Sequence, residues 1–137
     1  MSHREIAKAQ LLIDEGFELK LYKCSAGKWT IGVGRNLEDR GITKQEALFL
    51  LDGDLLIAEH DARGLFSNFD ELSDNRRAVL VNMAFNLGQE RLAGFRNLRR
   101  CVEASNFDTA ASEMLESKWA AQVGVRAIRL AKQMREG

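Results

Sequence analysis

The chain has 137 residues, enough for one domain with a buried hydrophobic core. Its 20 basic residues balance its 20 acidic residues, so no overall charge directs it to nucleic acid. Residues 1–85 hold 11 basic and 14 acidic groups, a net of −3, whereas residues 86–137 hold 9 and 6, a net of +3. This asymmetry is more typical of solvated helices than of a lobe that binds an acidic polymer.

The cysteines and histidines form no disulfide framework and no ligand-spaced cluster. Cys24 and Cys101 are far apart in sequence, which favours reduced thiols in a chain made in the cytosol. His3 and His60 stand alone, so we expect no metal and no cofactor. No apolar run approaches the ~18 residues of a membrane span, and the N-terminus lacks the form of a signal peptide. We therefore expect no stable membrane insertion.

The N-terminal residues predict a helix followed by a β-hairpin. Ser2-x-x-Glu5 is a capping box that opens a helix running to about Glu15. Gly16 suits the left-handed position just beyond a helix end. Two strands follow, with their turn at residues 25–27.

The second strand, predicted over residues 29–34, alternates bulky and small side chains. Its bulky face, which we expect to be buried, comprises Trp29, Ile31 and Val33. Its other face carries only Thr30, Gly32 and Gly34. Glycine inside a strand often marks a close approach of a ligand or another backbone. The strand therefore predicts one wall of a cleft beside the glutamate that ends the first helix.

The remainder of the chain has helical periodicity. Thr43-x-x-Glu46 is a second capping box, and it opens a long helix over about residues 44–63. Residues 77–87 are apolar on enough sides to form the central buried helix. Ser105-x-x-Asp108 predicts another helix start, and residues 119–134 predict one or two more helices.

These elements predict a mainly helical α+β protein with two lobes, a small antiparallel sheet and a cleft between the lobes. We expect a single domain over residues 1–137. Within it, a β-hairpin lobe covers about residues 13–42, with the first helix packing elsewhere. A connecting helix covers residues 43–64, and a helical lobe covers residues 65–137.

Three side chains of the helix–hairpin unit are candidates for chemistry. Glu15 lies at the negative end of the helix dipole, which favours the protonated form needed by a general acid, although a surface glutamate is an equal interpretation. Thr30 could hold a water or a sugar hydroxyl, or simply favour the strand. Cys24 could be a thiolate, a weak hydrogen-bonding group or a small filler. Because all three lie in one helix–hairpin unit, the functional interpretation of each is strengthened.

Glu15, Cys24 and Thr30 are separated by eight and then five residues, in the contexts Asp-Glu-Gly-Phe-x-Leu-x-Leu-Tyr and Trp-Thr-Ile-Gly-Val-Gly. This spacing resembles the active-site pattern of the phage-type lysozymes, glycoside hydrolase family twenty-four. The likeness continues in four further motifs: Gly41-Ile-Thr-Lys-x-Glu46-Ala, Asn82-Met-x-Phe85-Asn-x-Gly88, Ala93-Gly-Phe-x-Asn97 and Ser117-Lys-Trp119-x-x-Gln122. The likeness spans nearly the whole chain and implies a lysozyme-like two-lobe architecture.

The resemblance implies a muramidase that cuts the β-1,4 bond between N-acetylmuramic acid and N-acetylglucosamine in bacterial peptidoglycan. Glu15 would be the acid, and Cys24 and Thr30 would place a water that attacks with inversion at the anomeric carbon. Phe85 matches a substrate-binding position of the helical lobe. Asn36, in the hairpin lobe, aligns with another position of the cleft. Arg126 matches the arginine that pairs with the catalytic glutamate.

The sequence departs from the family pattern at several positions. Cys24 stands where many relatives have aspartate, so it could orient water or, less simply, form a covalent glycosyl-cysteine. Arg35 replaces a family histidine, and we expect it to pair with Asp54. Asn36 differs in chemistry from the family residue. Leu98 and Glu113 align with substrate contacts of other residue types, so no binding role is carried over to them.

The expected function is that of a phage endolysin acting on peptidoglycan as a monomer. It would wait in the host cytoplasm until a separate holin gives it access to the periplasm and cell wall. Rival hypotheses are a weakly active or inactive peptidoglycan-binding module and a lytic transglycosylase. A third alternative, a membrane-active C-terminal helix, rests on the basic residues Lys118, Arg126, Arg129, Lys132 and Arg135, for which a solvated face is favoured.

Overall fold

The computed structural model describes all 137 residues and divides them into two compact units, Met1–Phe49 and Leu50–Gly137. The first unit holds the only sheet, and the second is helical. The longest helix contains the boundary between them. The α+β class, the small antiparallel sheet, the long helix and the helical C-terminal part are thus confirmed.

The first unit begins with a helix and continues into three short strands. Its elements are α1 (His3–Asp14), β1 (Glu18–Lys23), β2 (Trp29–Gly32), β3 (Arg35–Asn36), α2 (Leu37–Arg40) and the first turns of α3 (Lys44–Leu65). The predicted capping box of α1 is present: Ser2 Oγ accepts from the Glu5 N–H at 3.2 Å, and Glu5 Oε2 accepts from the Ser2 N–H at 2.8 Å. Both bonds satisfy donors that a helix start leaves unpaired.

The strands form one antiparallel sheet in the order β1-β2-β3. Lys23 pairs with Trp29 across the β1–β2 hairpin, and Tyr22 pairs with Thr30. The hairpin turn lies at the predicted place and has Gly27 in the left-handed region, with φ of +76°. On its other side, Thr30 pairs with Asn36 of β3. Thr30 is therefore in the middle of the sheet.

The predicted strand over residues 29–34 is shorter than expected. Strand β2 ends at Gly32, and Val33 and Gly34 form a turn that leads into β3. Gly32 and Gly34 have φ of +72° and +68°, a conformation that side-chain-bearing residues rarely adopt. In the sequence, Gly32 and Gly34 continue the alternation of small and bulky residues that is typical of a strand. In the structure they allow a turn that reverses the chain.

The predicted burial of the two strand faces is wrong. Trp29 is 42% exposed and Val33 is 37% exposed, whereas Thr30 is only 3% exposed. Alternation assigns side chains to two faces, but it does not say which face is covered. In this sheet the face that carries the hydroxyl is the buried one at residue 30.

Helix α3 begins as predicted and ends slightly later. Thr43 Oγ1 accepts from the Glu46 N–H at 3.1 Å, and Glu46 Oε1 accepts from the Thr43 N–H at 2.8 Å, so the second capping box is confirmed. Glu46 also pairs with Arg35, which additionally donates to the Gly41 carbonyl at 3.1 Å. The expected pair of Arg35 with Asp54 is wrong, because the cap fixes the Glu46 carboxylate next to the end of β3.

The second unit consists of the rest of α3, a short 3-10 helix and six further helices. These are the 3-10 helix Phe69–Glu71, α4 (Asp74–Leu87), α5 (Gln89–Ala93), α6 (Arg96–Glu103), α7 (Phe107–Leu115), α8 (Lys118–Val123) and α9 (Val125–Glu136). Helix α7 packs against α6 and α9, and α4 packs against α9. None of the helices in the chain combines the length and the apolarity that crossing a bilayer requires.

Helix α4 is the central buried helix, as predicted. Its buried residues are Val79, Leu80, Met83, Ala84 and Leu87. The helix ends at Gly88, whose φ of +80° turns the chain into α5. The core around α4 includes Trp119, whose Nε1 donates to Asn86 Oδ1 at 2.7 Å and so satisfies a buried polar group.

One helix start differs from the prediction. Helix α7 begins at Phe107, and its cap is Asn106, whose Oδ1 accepts from the Thr109 N–H at 3.3 Å. Ser105, the expected cap, instead has φ of +58° and lies in the turn that precedes the helix. Asparagine and serine are comparable caps, so local sequence did not distinguish the two positions.

Candidate active site

Glu15 immediately follows α1, and its side chain lies over the β2–β3 turn. Its backbone N–H donates to the Leu11 carbonyl at 2.8 Å, and Gly16, with φ of +68°, turns the chain towards β1. A Cβ atom added at Gly34 would lie 2.9 Å from both Glu15 Cδ and Glu15 Oε2. The glutamate therefore rests on bare backbone, and its exposed carboxylate is available to a ligand.

Cys24 and Thr30 both bind the carbonyl of Lys28, near the turn that joins β1 to β2. The Cys24 N–H donates to the Lys28 carbonyl at 2.9 Å, and Thr30 Oγ1 donates to the same carbonyl at 2.8 Å. A hydroxyl has a single hydrogen but two acceptor lone pairs. Thr30 Oγ1 can therefore still accept hydrogen from a water or a thiol.

The environment of Cys24 favours its thiolate. The backbone N–H of Lys28, followed by that of Ala26, lowers the pKa of the Cys24 thiol below its usual value. The Thr30 hydroxyl also lowers the pKa of the Cys24 thiol, but by less than these backbone groups. A thiolate is both a hydrogen-bond acceptor and a nucleophile. Either role of Cys24 that the sequence suggested is chemically accessible.

The three predicted catalytic residues thus belong to one helix–sheet unit. Glu15 lies against the turn after β2, Thr30 is inside β2, and Cys24 follows β1. Thr30 is two residues, or roughly 7 Å, from the end of β2 at Gly32. An acid at one position and a water-holding pair at another is the arrangement that hydrolysis with inversion requires. The individual catalytic roles stay predictions.

Asn36 lies on the same sheet, but its amide group is engaged locally. Its Oδ1 accepts from the Asp39 N–H at 3.1 Å, and its Nδ2 donates to Asp39 Oδ2 at 3.0 Å. The side chain therefore caps α2. A sugar contact through this amide would have to share or replace these bonds, so substrate binding by Asn36 remains a prediction.

Phe85 and Arg126 lie in the second unit, where both line a pocket of about 510 Å³. Arg126 Nε and Nη2 both donate to Asn82 Oδ1, at 3.1 and 2.7 Å. Phe85 is partly exposed, as a substrate contact needs. The predicted pairing of Arg126 with Glu15 joins residues of different units and stays a prediction, as does the substrate contact of Phe85.

Two further residues hold the predicted ones in place. The sequence marked Gly34 as part of a cleft wall, but it missed the role of Asn82. Gly34 provides the surface for Glu15, and Asn82 binds the guanidinium of Arg126. The glycine pair around Val33 was a usable signal, because close approach is one reason for glycine in a strand. Asn82 had no local signal, since its partner lies 44 residues later. No group of three His, Cys, Asp or Glu side chains is arranged to hold a metal ion.

The sequence model of the phage lysozyme family matches residues 13–135 of the chain. The chain belongs to the phage lysozyme family. The match contains all six predicted site residues of this family member, from Glu15 to Arg126. Its function is therefore lysozyme-like, which is the function of a glycoside hydrolase.

Two curated relatives of this phage lysozyme family member come from Dictyostelium discoideum. They are named probable T4-type lysozyme 2 and probable T4-type lysozyme 1. Each is 26% identical to the chain, and each alignment covers 90% of this chain and 89% of the relative. The similarity thus extends over nearly the full length of all three proteins.

Proposed function

We propose that the protein is a muramidase of glycoside hydrolase family twenty-four. It hydrolyses the β-1,4 bond between N-acetylmuramic acid and N-acetylglucosamine in bacterial peptidoglycan. The observation that carries this proposal is the position of Glu15, whose carboxylate lies on the bare backbone of Gly34. Gly34 is in the turn that follows β2, the strand that contains Thr30, and Cys24 directly follows the neighbouring strand β1. Membership in the phage lysozyme family supports the substrate class.

Glu15 is the general acid of the proposed reaction. Its protonated carboxyl group donates hydrogen to the glycosidic oxygen as the bond to the anomeric carbon breaks. A sugar can approach because the side chain is exposed and because no side chain on residue 34 occupies the same space. Cleavage leaves Glu15 as a carboxylate, which takes up a proton from solvent before the next turnover.

Cys24 and Thr30 position the attacking water. Thr30 Oγ1 donates to the Lys28 carbonyl and therefore presents lone pairs to a water hydrogen. The Cys24 thiolate, favoured by its neighbouring backbone N–H groups, is a second acceptor. Cys24 thereby takes the place of the aspartate that many relatives carry. Water attacks the anomeric carbon from the face opposite to the leaving oxygen, passes a proton to the Cys24 thiolate and inverts the anomeric configuration.

The biological role we propose is lysis of a bacterial host by a monomeric endolysin. In this proposal the protein accumulates in the host cytoplasm, and a separate holin opens the route to the cell wall. The phage lysozyme family supports this role. Holin-dependent release is tested by expressing the chain with and without a pore-forming partner, because lysis should then need both.

The decisive experiment is digestion of purified peptidoglycan, with the released fragments identified by mass spectrometry. Wild-type protein should release fragments with reducing N-acetylmuramic acid ends, and Glu15→Gln should reduce the rate at least 100-fold. Asp14→Asn is the matched control, because it neutralises the neighbouring exposed carboxylate at the same helix end. Its rate should stay close to that of the wild type.

The same digest separates the rival functions. Fragments ending in 1,6-anhydro-N-acetylmuramic acid would identify a lytic transglycosylase, in which no water is added. Binding to peptidoglycan without any released fragment would identify an inactive binding module. Equal rates for Glu15→Gln and wild type would remove Glu15 from the mechanism.

A further inference from the structure

Trp29 is the exposed one of the two tryptophans, and it carries a cation on its ring. It is 42% exposed, whereas Trp119 is 3% exposed. Lys23 Nζ lies 4.9 Å from the centroid of the Trp29 ring, in the geometry of a cation–π contact. The two residues are direct partners across the β1–β2 hairpin, so their side chains share one face of the sheet.

This face is the opposite one from the Thr30 hydroxyl. Adjacent residues of a strand point to opposite sides, and Trp29 directly precedes Thr30 in β2. Thr30 is buried on its side, whereas Trp29 is open to solvent. A molecule that lies on the indole therefore does not compete with the water that Thr30 is proposed to hold.

Lys23 and Lys28 are the lysines next to Trp29, and only Lys28 has acidic partners. Lys28 Nζ lies 3.4 Å from a Glu38 oxygen and 3.3 Å from an Asp39 oxygen, so its charge is compensated. Lys23 has no acidic partner in the structure. An exposed indole with one uncompensated ammonium group suits a mostly neutral ligand that has apolar faces and occasional carboxylates.

We propose that Trp29 and Lys23 form a second glycan-binding surface, which holds a neighbouring strand of the peptidoglycan mesh. This inference rests on the proposed function. The apolar C–H face of an N-acetylhexosamine ring lies flat on the indole, and Lys23 binds a carboxylate of the lactyl or peptide substituent. The surface keeps the enzyme on the polymer while Glu15 acts on another strand.

An anionic membrane is a poorer partner for this surface. Electrostatic membrane binding generally needs a cluster of several basic residues. Here Lys23 is the single free cation, because Lys28 is already paired with Glu38 and Asp39. One cation is enough for a glycan strand whose carboxylates are widely spaced.

The test uses tryptophan fluorescence of full-length Glu15→Gln, which should cut the polymer at least 100-fold more slowly than the wild type. The probe is soluble, uncross-linked strands of alternating N-acetylglucosamine and peptide-bearing N-acetylmuramic acid. The strands should protect Trp29 from iodide quenching. The emission of Trp119 should not change, because iodide does not reach this buried side chain. In Glu15→Gln/Trp29→Phe the protection should disappear. Unchanged quenching in Glu15→Gln would overturn the proposal.

A second measurement is binding of the Glu15→Gln protein to intact sacculi by sedimentation. Trp29→Ala in this background should weaken binding about threefold to tenfold, and Lys23→Met should weaken it less. Val125→Ser, which changes an exposed apolar residue of α9, is the control and should bind like the parent. Equal binding of the Trp29→Ala and parent proteins would contradict the proposal.

Other occupants give different results. Protection by phosphatidylglycerol vesicles but not by glycan would replace the proposal with a lipid surface. Protection that grows with protein concentration alone would replace it with self-association. Failure of the muramidase assay is a separate outcome, because it is measured on wild-type protein by released fragments and not by Trp29.

Discussion

The carboxylate of Glu15 occupies the space that a side chain on Gly34 would fill. Glu15 Cδ and Oε2 are each 2.9 Å from the position of the missing Cβ, closer than side-chain carbons approach other atoms. Gly34 also has φ of +68°, so both its left-handed backbone conformation and the close contact with Glu15 favour glycine at this position. The position of the proposed catalytic acid thus depends on a residue that has no side chain.

Gly34→Ala should therefore greatly reduce the turnover of peptidoglycan while lowering the unfolding free energy only moderately. The new methyl group displaces the Glu15 carboxylate by ~1 Å or more, and a misplacement of that size can cost roughly 100-fold in rate. The backbone strain of alanine at positive φ costs roughly 1–2 kcal/mol of unfolding free energy. Turnover of peptidoglycan and urea unfolding, measured on the same preparation, separate the two effects.

Gly41→Ala is the matched control for this substitution. Gly41 has φ of +66°, and a Cβ atom there meets nothing within 4 Å. It should lose at least as much stability, because its ψ of −151° places it in a region that is essentially restricted to glycine, and it should keep nearly wild-type turnover. If the Gly41 and Gly34 variants lose the same activity, backbone strain and not contact with Glu15 explains the effect.

The role of Cys24 is tested by removing its thiol in Cys24→Ala and by replacing the thiol with a carboxylate in Cys24→Asp. Cys24→Ala should lower turnover roughly 100-fold to 10,000-fold, the usual contribution of a general base. Cys24→Asp should keep much of the activity, because a carboxylate also accepts hydrogen from water. Proton NMR of the first-formed anomer should show inversion. A retained configuration would instead indicate a covalent glycosyl-cysteine.

The pH dependence of turnover gives a second test of Cys24. Its thiol pKa is lowered, mainly by the backbone N–H of Lys28, so the active thiolate forms as pH rises through a pKa below the usual value. In Cys24→Asp the corresponding rise should move to the acidic side, because the aspartate pKa is about 3.9 when unperturbed. Identical pH profiles for the two proteins would remove Cys24 from the ionisation that limits turnover.

The Glu46 carboxylate predicts a loss of stability in acid. Its bonds to Arg35, and then to the Thr43 N–H, lower its pKa from 4.5 to about 2. A lowered folded-state pKa stabilises the protein fully above 4.5, and this contribution disappears as pH falls through about 2. Unfolding in urea at a series of pH values should show a steep loss in this window.

Substitution of the carboxylate should flatten that loss. Glu46→Gln cannot change charge, so its stability should depend less on pH between 4.5 and 2 than that of the wild type. Asp52→Asn is the control, because Asp52 is an exposed residue of the same helix without an ion pair. An unchanged slope in Glu46→Gln would show that other groups control the acid transition.

Features set by short-range chemistry could be predicted from the sequence. Both capping boxes depend on residues three apart, and helix α4 depends on apolar residues around its circumference. Each was predicted, although α4 begins at Asp74, three residues before the predicted start. The spacing of Glu15, Cys24 and Thr30 likewise placed all three in one helix–hairpin unit.

Features set by packing could not be predicted. The two-residue turn at Val33 and Gly34 has the same alternation as a strand, and only the positive φ values distinguish it. The burial of Thr30 in place of Trp29 depends on what covers each face of the sheet. The partner of Arg35 depends on where α3 starts in space. None of these is encoded in a local pattern.

Arg76 joins the start of α4 to the end of α9 and should be a main contributor to the stability of the second unit. Its Nε donates to the Met134 carbonyl at 2.7 Å, and its Nη2 donates to the Arg135 carbonyl at 2.9 Å. Its guanidinium also lies 3.6 Å from the centroid of the Phe107 ring. Arg76→Ala removes all three interactions and should lower the unfolding free energy by about 2 kcal/mol.

The neighbouring arginine provides the comparison for Arg76. Arg77 pairs at 2.7 Å with Asp74, whose side chain is almost fully exposed, so Arg77→Ala should cost less than about 0.5 kcal/mol. Arg76→Lys keeps the charge but not the planar fork, and it should recover less than half of the loss in Arg76→Ala. Urea unfolding of the three variants measures these differences. Equal losses for both alanine variants would mean that helix propensity, and not the link to α9, determines the effect of Arg76.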